Sequence, residues 1–270
     1  MDSREQQGGV QSFFETDADG YDARHYGSGH RTYIGDRQAC VSSVFRDLVP
    51  RAGSRILDIA CGPGRFLSMA QGAGLVALGI DASTEMLRTS ARRLGAEARL
   101  VLGSATSLPF ASSSFDALNC SGLIEYLDDP SPVFREAHRV LTPGGWMMMS
   151  STNRRSPALV LEPLIEVMRR SRVFRLAVRA LRLPGSGHLL RERRFRFFFH
   201  SPEELHALCR GAGFARVRMH YYHLQLLPHP MDRLSPALTT ACVRWTDRFL
   251  TRPRLGRFAE GLLAVGYRDR

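Results

Sequence analysis

Short apolar stretches alternate with amphipathic stretches along most of the chain. Seven of the apolar stretches, among them SRILDIA, LVALGID and WMMMSSTN, are predicted to be strands. Between the first five, apolar residues recur at the three-to-four spacing of a helix. Repeated strand–helix units with short links predict parallel strands joined by right-handed crossovers. We therefore predict an α/β fold: a doubly wound, mostly parallel seven-stranded sheet with helices on both faces, whose last strand forms a hairpin.

The same pattern divides the chain into segments. Residues 1–20 are polar and contain a glycine pair, so we expect them to be frayed, and we expect a helix in the second half of 21–49. After the fifth strand a helical insertion interrupts the repeat, and a further helix is expected over 234–250. The predicted segments are an N-terminal helical cap (1–49), a strand–helix core (50–153), an arginine-rich helical insertion (154–196) and a C-terminal completion of the sheet (197–270).

Composition narrows the class of protein. No stretch has the roughly 18–20 uninterrupted apolar residues of a membrane span, and the first ten residues lack the basic-then-apolar pattern of a secretory signal. The five cysteines are scattered and form no CxxC pair. That distribution favours reduced thiols in the cytoplasm, and we predict neither a disulfide framework nor a metal site.

The positive charge is concentrated in one segment. The formal net charge is +11 and all 37 basic residues are arginine, twelve of them in 154–196 against three glutamates. This segment is compatible with a lid over a substrate, a basic amphipathic helix at a membrane surface over 158–183, RNA binding, or a solvated helix face. Arginines and aromatic residues also interleave in RERRFRFFFH (191–200), which suits base stacking or an apolar pocket. No RNA-binding module accompanies them, so we do not expect a nucleic-acid partner.

The stretch RILDIACGPGRFL (55–67) leads a strand through a glycine-rich turn into a helix. It lacks the third glycine of the dinucleotide-binding motif, and no Gly-Lys-Ser/Thr follows as in a P-loop. Pro63 removes a backbone N–H that a pyrophosphate would accept, and Asp58 at the strand end favours a cation. The turn therefore suits a ligand that approaches the backbone closely without a phosphate, or it is a tight turn with no ligand.

Further polar residues follow the next strands. Asp81 ends the second strand, where a carboxylate can accept both hydroxyls of a ribose or cap the helix that follows. GSATSLPF (103–110) follows the third strand and CSGLIEYLDDP (120–130) follows the fourth. Because the carboxyl ends of parallel strands share one edge of a sheet, these segments are expected to meet the turn after the first strand.

In this order the motifs LDIACGPG, GIDASTEML, GSATSLPF, FDALNCSGLIEYLDDP and REAHRVLTPGGWMMMSS make residues 55–153 resemble the class I S-adenosylmethionine-dependent methyltransferases that act on small molecules. The resemblance implies S-adenosyl-L-methionine as the cofactor and S-adenosyl-L-homocysteine as its product. It also implies that 1–49 covers the cofactor site and that 154–196 is a lid.

The resemblance implies a role for individual residues. Asp58 would orient the ammonium of the cofactor, Asp81 would bind the ribose diol, and Met86 would pack on the adenine unless it is a core methionine. Ala60 stands where the family has a glycine, which is tolerable if its φ stays below zero. The implied cofactor-binding residues are Tyr21, Arg31, Asp58, Ala60, Cys61, Gly62, Gly64, Asp81, Ala82, Met86, Ser104, Ala105, Thr106, Cys120 and Ser121.

Several residues are candidates for catalysis of methyl transfer to the acceptor. A base is needed only if the acceptor must lose a proton, and the candidates for catalysis are Tyr126, Tyr21, His25, His200 and His223. We expect a small, fairly apolar acceptor in secondary metabolism, methylated on oxygen before carbon or nitrogen. A membrane-resident quinone or lipid is one alternative, and a non-catalytic cofactor-binding scaffold is another. Both a monomer and a homo-oligomer are compatible with the sequence.

Overall fold

The computed structural model describes residues 3–26, 32–160, 167, 171, 172, 195–224, 241, 245 and 253–269. Most of the arginine-rich insertion and of the helix predicted over 234–250 lies outside these residues, and so does Arg31.

A seven-stranded sheet in the order β3-β2-β1-β4-β5-β7-β6 forms the centre of the molecule. β1 to β5 are parallel, and β7 lies antiparallel between β5 and β6. This confirms the predicted fold class and the final hairpin. The strands are β1 (Arg55–Ile59), β2 (Val76–Asp81), β3 (Leu100–Leu102), β4 (Phe115–Cys120), β5 (Leu141–Thr152), β6 (Arg216–Tyr222) and β7 (Gly261–Tyr267).

Helices cover both faces of the sheet. Successive side chains of a strand point to opposite faces, so Met147 and Met149 join one core cluster while Met148 joins the other. Phe134 packs in the first cluster and Phe45 in the second. The helices are α1 (Ser3–Tyr26), α2 (Tyr33–Leu48), α3 (Arg65–Gly72), α4 (Thr84–Leu94), α5 (Ser131–Val140), α6 (Pro157–Val160), α7 (Pro202–Gly211) and α8 (Pro253–Gly256).

Local sequence signals set several helix ends. The Ser83 hydroxyl accepts the Met86 N–H at 3.1 Å and caps α4. Ser201 and Glu204 form a capping box at the start of α7. None of the helices in the described ranges combines the length and the apolarity that a membrane span requires.

The expectation that residues 1–20 fray is wrong, because α1 runs from Ser3 to Tyr26. The helix is held by contacts with distant residues rather than by its own propensity. The Gln6 side-chain amide donates to the Tyr126 carbonyl at 3.2 Å and to the Arg196 carbonyl at 2.8 Å. Its oxygen accepts the Arg196 N–H at 2.9 Å. Three glycines in a polar helix are tolerated because tertiary contacts outweigh local propensity.

A second set of contacts ties α1 to the segment after β2. The Glu15 carboxylate accepts the N–H groups of Thr84 and Glu85 at 2.9 and 3.1 Å, at the beginning of α4. The first N–H groups of a helix have no partner within it, and here a side chain from another helix supplies one. Gln11 also donates to the Ala82 carbonyl at 3.0 Å. These bonds place one face of α1 over the carboxyl edge of the sheet.

Candidate active site

The turn after β1 is held by its own backbone and by Asp81. The Cys61 N–H donates to the Ile80 carbonyl at 3.1 Å, and the Gly64 N–H to the Cys61 carbonyl at 3.0 Å. Gly62 has a φ of 50° and donates its N–H to Asp81 Oδ2 at 2.8 Å. The turn therefore wraps around the end of β1, and its backbone faces the carboxyl edge of the sheet.

Ala60 was expected to have a φ below zero. Its φ is +56°, in the left-handed region. A left-handed conformation costs an L-residue about 1–2 kcal/mol relative to the right-handed one. The turn keeps the conformation that a glycine would adopt freely, although the residue is alanine.

Asp58 lies at the end of β1 and is 2% exposed. Its Oδ1 accepts the Asn119 side-chain amide at 2.7 Å. Burial raises the pKa of Asp58 to about 7, the Asn119 hydrogen bond opposes that change, and nearby Asp81 adds to it. A cation beside this carboxylate would favour its ionised form.

Asp81 does not cap α4, because Ser83 does. Its Oδ1 accepts the Ser83 N–H at 2.9 Å and its Oδ2 accepts the Gly62 N–H at 2.8 Å. Burial raises the pKa of this carboxyl, and the backbone N–H groups oppose the rise. The side chain thus links the β1 turn to the start of α4 while it still borders the cavity described next.

A cavity of about 340 Å³ lies at this edge of the sheet, within the range of about 300–1,000 Å³ typical of small-molecule sites. Helix α1 contributes one wall of it. Thirteen of the residues proposed from the sequence line it: Tyr21, Asp58, Ala60, Cys61, Gly62, Asp81, Ala82, Met86, Ser104, Ala105, Thr106, Ser121 and Tyr126.

Four other proposed residues do not line the cavity. Gly64 packs against Ser90 of α4, and Cys120 is fully buried in the core. His200 Nδ1 lies 2.9 Å from the Ser151 hydroxyl, and His223 Nδ1 lies 2.7 Å from Asp36 Oδ2. The structure gives both histidines buried partners away from the cavity, and burial lowers the pKa of His200.

The remaining proposed residues, Arg31 and the side chain of His25, fall outside what the structure describes.

Arg37 of α2 lines the cavity and was missed by the sequence analysis. Its guanidinium lies against Gly122, so closely that a Cβ at Gly122 would collide with it. Burial lowers the pKa of Arg37, but Tyr21, Tyr222 and other acidic neighbours outweigh that effect, so the pKa stays above its ordinary value. Only helical spacing could have indicated this residue, because Arg37 follows Tyr33 by one turn of α2.

An aromatic cluster surrounds Tyr126, which lines the cavity. The ring centroid of Tyr126 lies 5.4 Å from that of Phe14, 5.5 Å from that of Phe195 and 5.3 Å from that of Phe197. Burial in this packing raises the pKa of Tyr126, so its hydroxyl remains protonated at neutral pH. The side chain can donate a hydrogen bond there, but it is not a base. Phe195 and Phe197 of the interleaved segment thus pack behind Tyr126.

Comparison with known proteins agrees with this geometry. Residues 57–149 match the family model described as "Methyltransferase domain". Over these residues the match confirms the predicted resemblance to methyltransferases. The strand order and the solved structures described below show that the chain has the fold expected of the class I S-adenosylmethionine-dependent enzymes.

The relatives of the methyltransferase domain include quinone-biosynthesis enzymes. The ubiquinone biosynthesis O-methyltransferase of Thiobacillus denitrificans is 32% identical over 116 residues, 42% of this chain and 50% of that protein. The ubiquinone/menaquinone biosynthesis C-methyltransferase of Ruegeria sp. is 34% identical over 154 residues, 54% of this chain and 59% of that protein. The chain spans about half the length of the relatives it matches.

Solved structures share the fold. The S-adenosylmethionine-dependent methyltransferase of Thermotoga maritima is 19% identical, with a TM-score of 0.58, and the match covers 96% of this chain and 99% of that one. The phosphoethanolamine N-methyltransferase 2 of Haemonchus contortus, solved with S-adenosylhomocysteine, is 16% identical, with a TM-score of 0.58, and covers 97% of this chain and 59% of that one. At these identities the likeness concerns the fold.

The residues of the methyltransferase domain and of α2 fit S-adenosylmethionine. The cofactor carries an ammonium and a carboxylate at one end and a ribose with an adenine at the other. Asp58 supplies an anion and Arg37 a cation for the first end. The two side chains lie in the same region, because the charges of both change the pKa of the Cys120 thiol. Asp81 supplies an acceptor for the ribose hydroxyls, and Met86 supplies an apolar surface for the base.

Replacing Arg37 by methionine is expected to weaken S-adenosylhomocysteine binding about tenfold, because a hydrogen-bonded charged group is worth about 1.5–3 kcal/mol. Methionine keeps the aliphatic part of the side chain and removes the charge. Isothermal titration calorimetry at neutral pH measures the change. The matched control is Arg135→Met, an exposed arginine in the separate cleft beside α7, for which we expect no change. Equal affinity of Arg37→Met and the wild type would exclude Arg37 from the cofactor site.

Proposed function

We propose that this protein transfers a methyl group from S-adenosylmethionine to a small, apolar, aromatic acceptor. The observation that carries the proposal is the construction of the cavity. Its lining combines the charged side chains of Asp58, Asp81 and Arg37 with the rings of Phe14 and Tyr126. The charged side chains suit a charged nucleoside, and the aromatic side chains suit a flat ring.

The acceptor we propose is a hydroxylated quinone-type ring. The relatives named as ubiquinone and menaquinone biosynthesis methyltransferases support this choice over the expectation of secondary metabolism. The rings of Phe14 and Tyr126 in the lining support it as well, since planar rings pack well on aromatic side chains. Residues of the arginine-rich insertion would then cover the acceptor, and 1–49 would cover the cofactor.

The mechanism depends mainly on positioning. Bound S-adenosylmethionine supplies a methyl group on a good leaving group. Asp81, Asp58 and Arg37 hold the two ends of the cofactor, and holding both reactants in one cavity removes much of the entropic barrier. Among the described residues that line the cavity there is no histidine, and Tyr126 keeps its proton. We therefore propose an acceptor with an acidic ring hydroxyl that loses its proton to water, so that either the oxygen of the resulting anion or the ring carbon beside it attacks the methyl group.

Two measurements test this function in sequence. Calorimetric titration with S-adenosylmethionine is expected to show binding at micromolar concentrations, and absence of binding would overturn the proposal. Incubation with a panel of hydroxylated benzoquinols and naphthoquinols, followed by mass spectrometry, is expected to show a product heavier by one methyl group. Binding without turnover on any member of the panel, or on a cell extract, would instead favour a non-catalytic cofactor-binding scaffold.

A quinone acceptor resides in a lipid bilayer, and we propose that the basic and apolar residues of 158–183, most of which lie outside the described residues, contact the membrane surface. The full chain is then expected to float with vesicles of anionic phospholipid at low salt and to remain at the bottom with zwitterionic vesicles. The difference should shrink as salt is added, because screening weakens the attraction of exposed charges. Failure to float with anionic vesicles would remove the membrane contact from the proposal but leave the cofactor site intact.

A further inference from the structure

Asn119 is a buried polar residue near the carboxyl end of β4, the central strand of the sheet. It lies on β4, is 2% exposed, and is paired in register with Asp58 of β1. A central parallel strand is ordinarily apolar on both faces, and an amide buried there is costly unless it is hydrogen-bonded. A specific role is therefore needed to account for an asparagine at this position.

Both ends of the Asn119 side chain are bonded within the candidate site. Its Nδ2 donates to Asp58 Oδ1 at 2.7 Å, and its Oδ1 accepts the Ser121 hydroxyl at 2.8 Å. The reverse orientation of the amide would place its oxygen against the Asp58 carboxylate, which cannot donate when ionised. Beside an ionised Asp58, therefore, Nδ2 of Asn119 must face the carboxylate, and the bond to Oδ1 restrains the carboxylate's rotation.

We infer that Asn119 is a positioning residue, which holds the Asp58 carboxylate so that Oδ2 faces the ammonium of the cofactor. The inference rests on the proposed function, since it assumes that the cavity binds S-adenosylmethionine. It adds a residue that was not assigned from the sequence. Asn119 acts through Asp58 and belongs to the amino-acid end of the site, not to the nucleoside end.

The charged and titratable groups around Asp58 define what Asn119 does electrostatically. Asp81 of β2 and burial both raise the pKa of Asp58, and the Asn119 hydrogen bond lowers it. The thiols of Cys61 and Cys120 also face Asp58, and burial keeps both thiols protonated at neutral pH. Arg37, which belongs to α2, lines the same cavity as Asp58. Asn119 is therefore the hydrogen-bond donor on Asp58 that favours its ionised form.

The test compares two ligands that differ only at the amino-acid end. S-adenosylhomocysteine carries the ammonium and the carboxylate, whereas 5′-methylthioadenosine has the same nucleoside and thioether but lacks both. Asn119→Leu keeps the shape of the side chain and removes the donor. We expect it to bind S-adenosylhomocysteine about tenfold more weakly at pH 7 and to bind 5′-methylthioadenosine as the wild type does.

The pH dependence gives a second readout. In the wild type, protonation of Asp58 is expected to weaken S-adenosylhomocysteine binding as the pH falls through about 7. Without the Asn119 donor the pKa of Asp58 rises, so in Asn119→Leu the same loss should begin at a higher pH. Titration of Asp81 affects the ribose that both ligands share, and the 5′-methylthioadenosine series corrects for it.

A double-mutant cycle separates positioning from packing. If Asn119 acts through Asp58, then Asn119→Leu adds little further loss of S-adenosylhomocysteine affinity to Asp58→Asn. Asn119→Ser, a smaller change, provides a second variant if the leucine variant does not fold. Additive losses, or equal losses for both ligands, would overturn the inference. Failure of the wild type to bind either ligand would overturn the proposed function itself, and the inference with it.

Discussion

Replacing Gly64 by alanine is expected to lower the free energy of unfolding by about 2–5 kcal/mol. Gly64 has a φ of +75°, and a left-handed alanine costs about 1–2 kcal/mol. The new Cβ would also collide with the Ser90 hydroxyl and come within 3.3 Å of the Ser90 Cα. Because Ser90 is fully buried on α4, the helix itself must move, and overpacking of this kind costs about 1–3 kcal/mol.

Urea unfolding followed by circular dichroism measures this loss, and Gly53→Ala is its matched control. Gly53 also has a positive φ, of +83°, but a Cβ there would meet no atom within 4 Å. We expect Gly53→Ala to cost about 1 kcal/mol, which is the conformational part alone. Equal losses in the two variants would show that the contact between the β1 turn and α4 does not limit the position of the turn.

Replacing Asp81 by alanine is expected to weaken S-adenosylmethionine binding by about 1–3 kcal/mol, which is roughly 5- to 150-fold. The substitution removes the proposed acceptor for the ribose hydroxyls. It also leaves the N–H groups of Gly62 and Ser83 without the carboxylate that accepts them. Calorimetric titration with S-adenosylhomocysteine and with 5′-methylthioadenosine should show similar losses, because both ligands carry the ribose.

Asp116→Ala is the control for this prediction. Asp116 also accepts a backbone N–H, that of Arg55 at 2.8 Å, but it lies at the opposite edge of the sheet from the cavity. We expect the affinity of Asp116→Ala for both ligands to equal that of the wild type. Unchanged affinity in Asp81→Ala would mean that Asp81 only orders the backbone between β1 and α4.

The acidic part of the site was predictable from the sequence because of the fold class. Asp58 ends β1 and Asp81 ends β2, and adjacent parallel strands bring their carboxyl ends together. The Ser83 and Ser201 caps were likewise readable, since a capping side chain bonds a backbone group only three residues away. In each case the signal and the structure it predicts lie close together in the sequence or follow from strand order.

Other features of the structure depend on contacts between residues that lie far apart in the sequence. Polar composition indicated fraying for residues 1–20, but Gln6 bonds to Tyr126 and Arg196 and so holds α1 on the site. His223 was a catalytic candidate, but its Nδ1 is hydrogen-bonded to the buried Asp36 carboxylate of α2. Residue type and local spacing carry no information about such partners.

The sequence by itself determined the alternation of strands and helices, the carboxyl edge at which a nucleoside-like ligand would bind, and the two carboxylates that face it. Only the tertiary structure decided that Arg37 reaches the cavity, that Asn119 donates a hydrogen bond to Asp58, and that α1 forms a wall. The physical reason is that hydrophobic periodicity specifies which face of each element is buried. Which long polar side chain enters a cavity depends instead on how whole elements pack against one another.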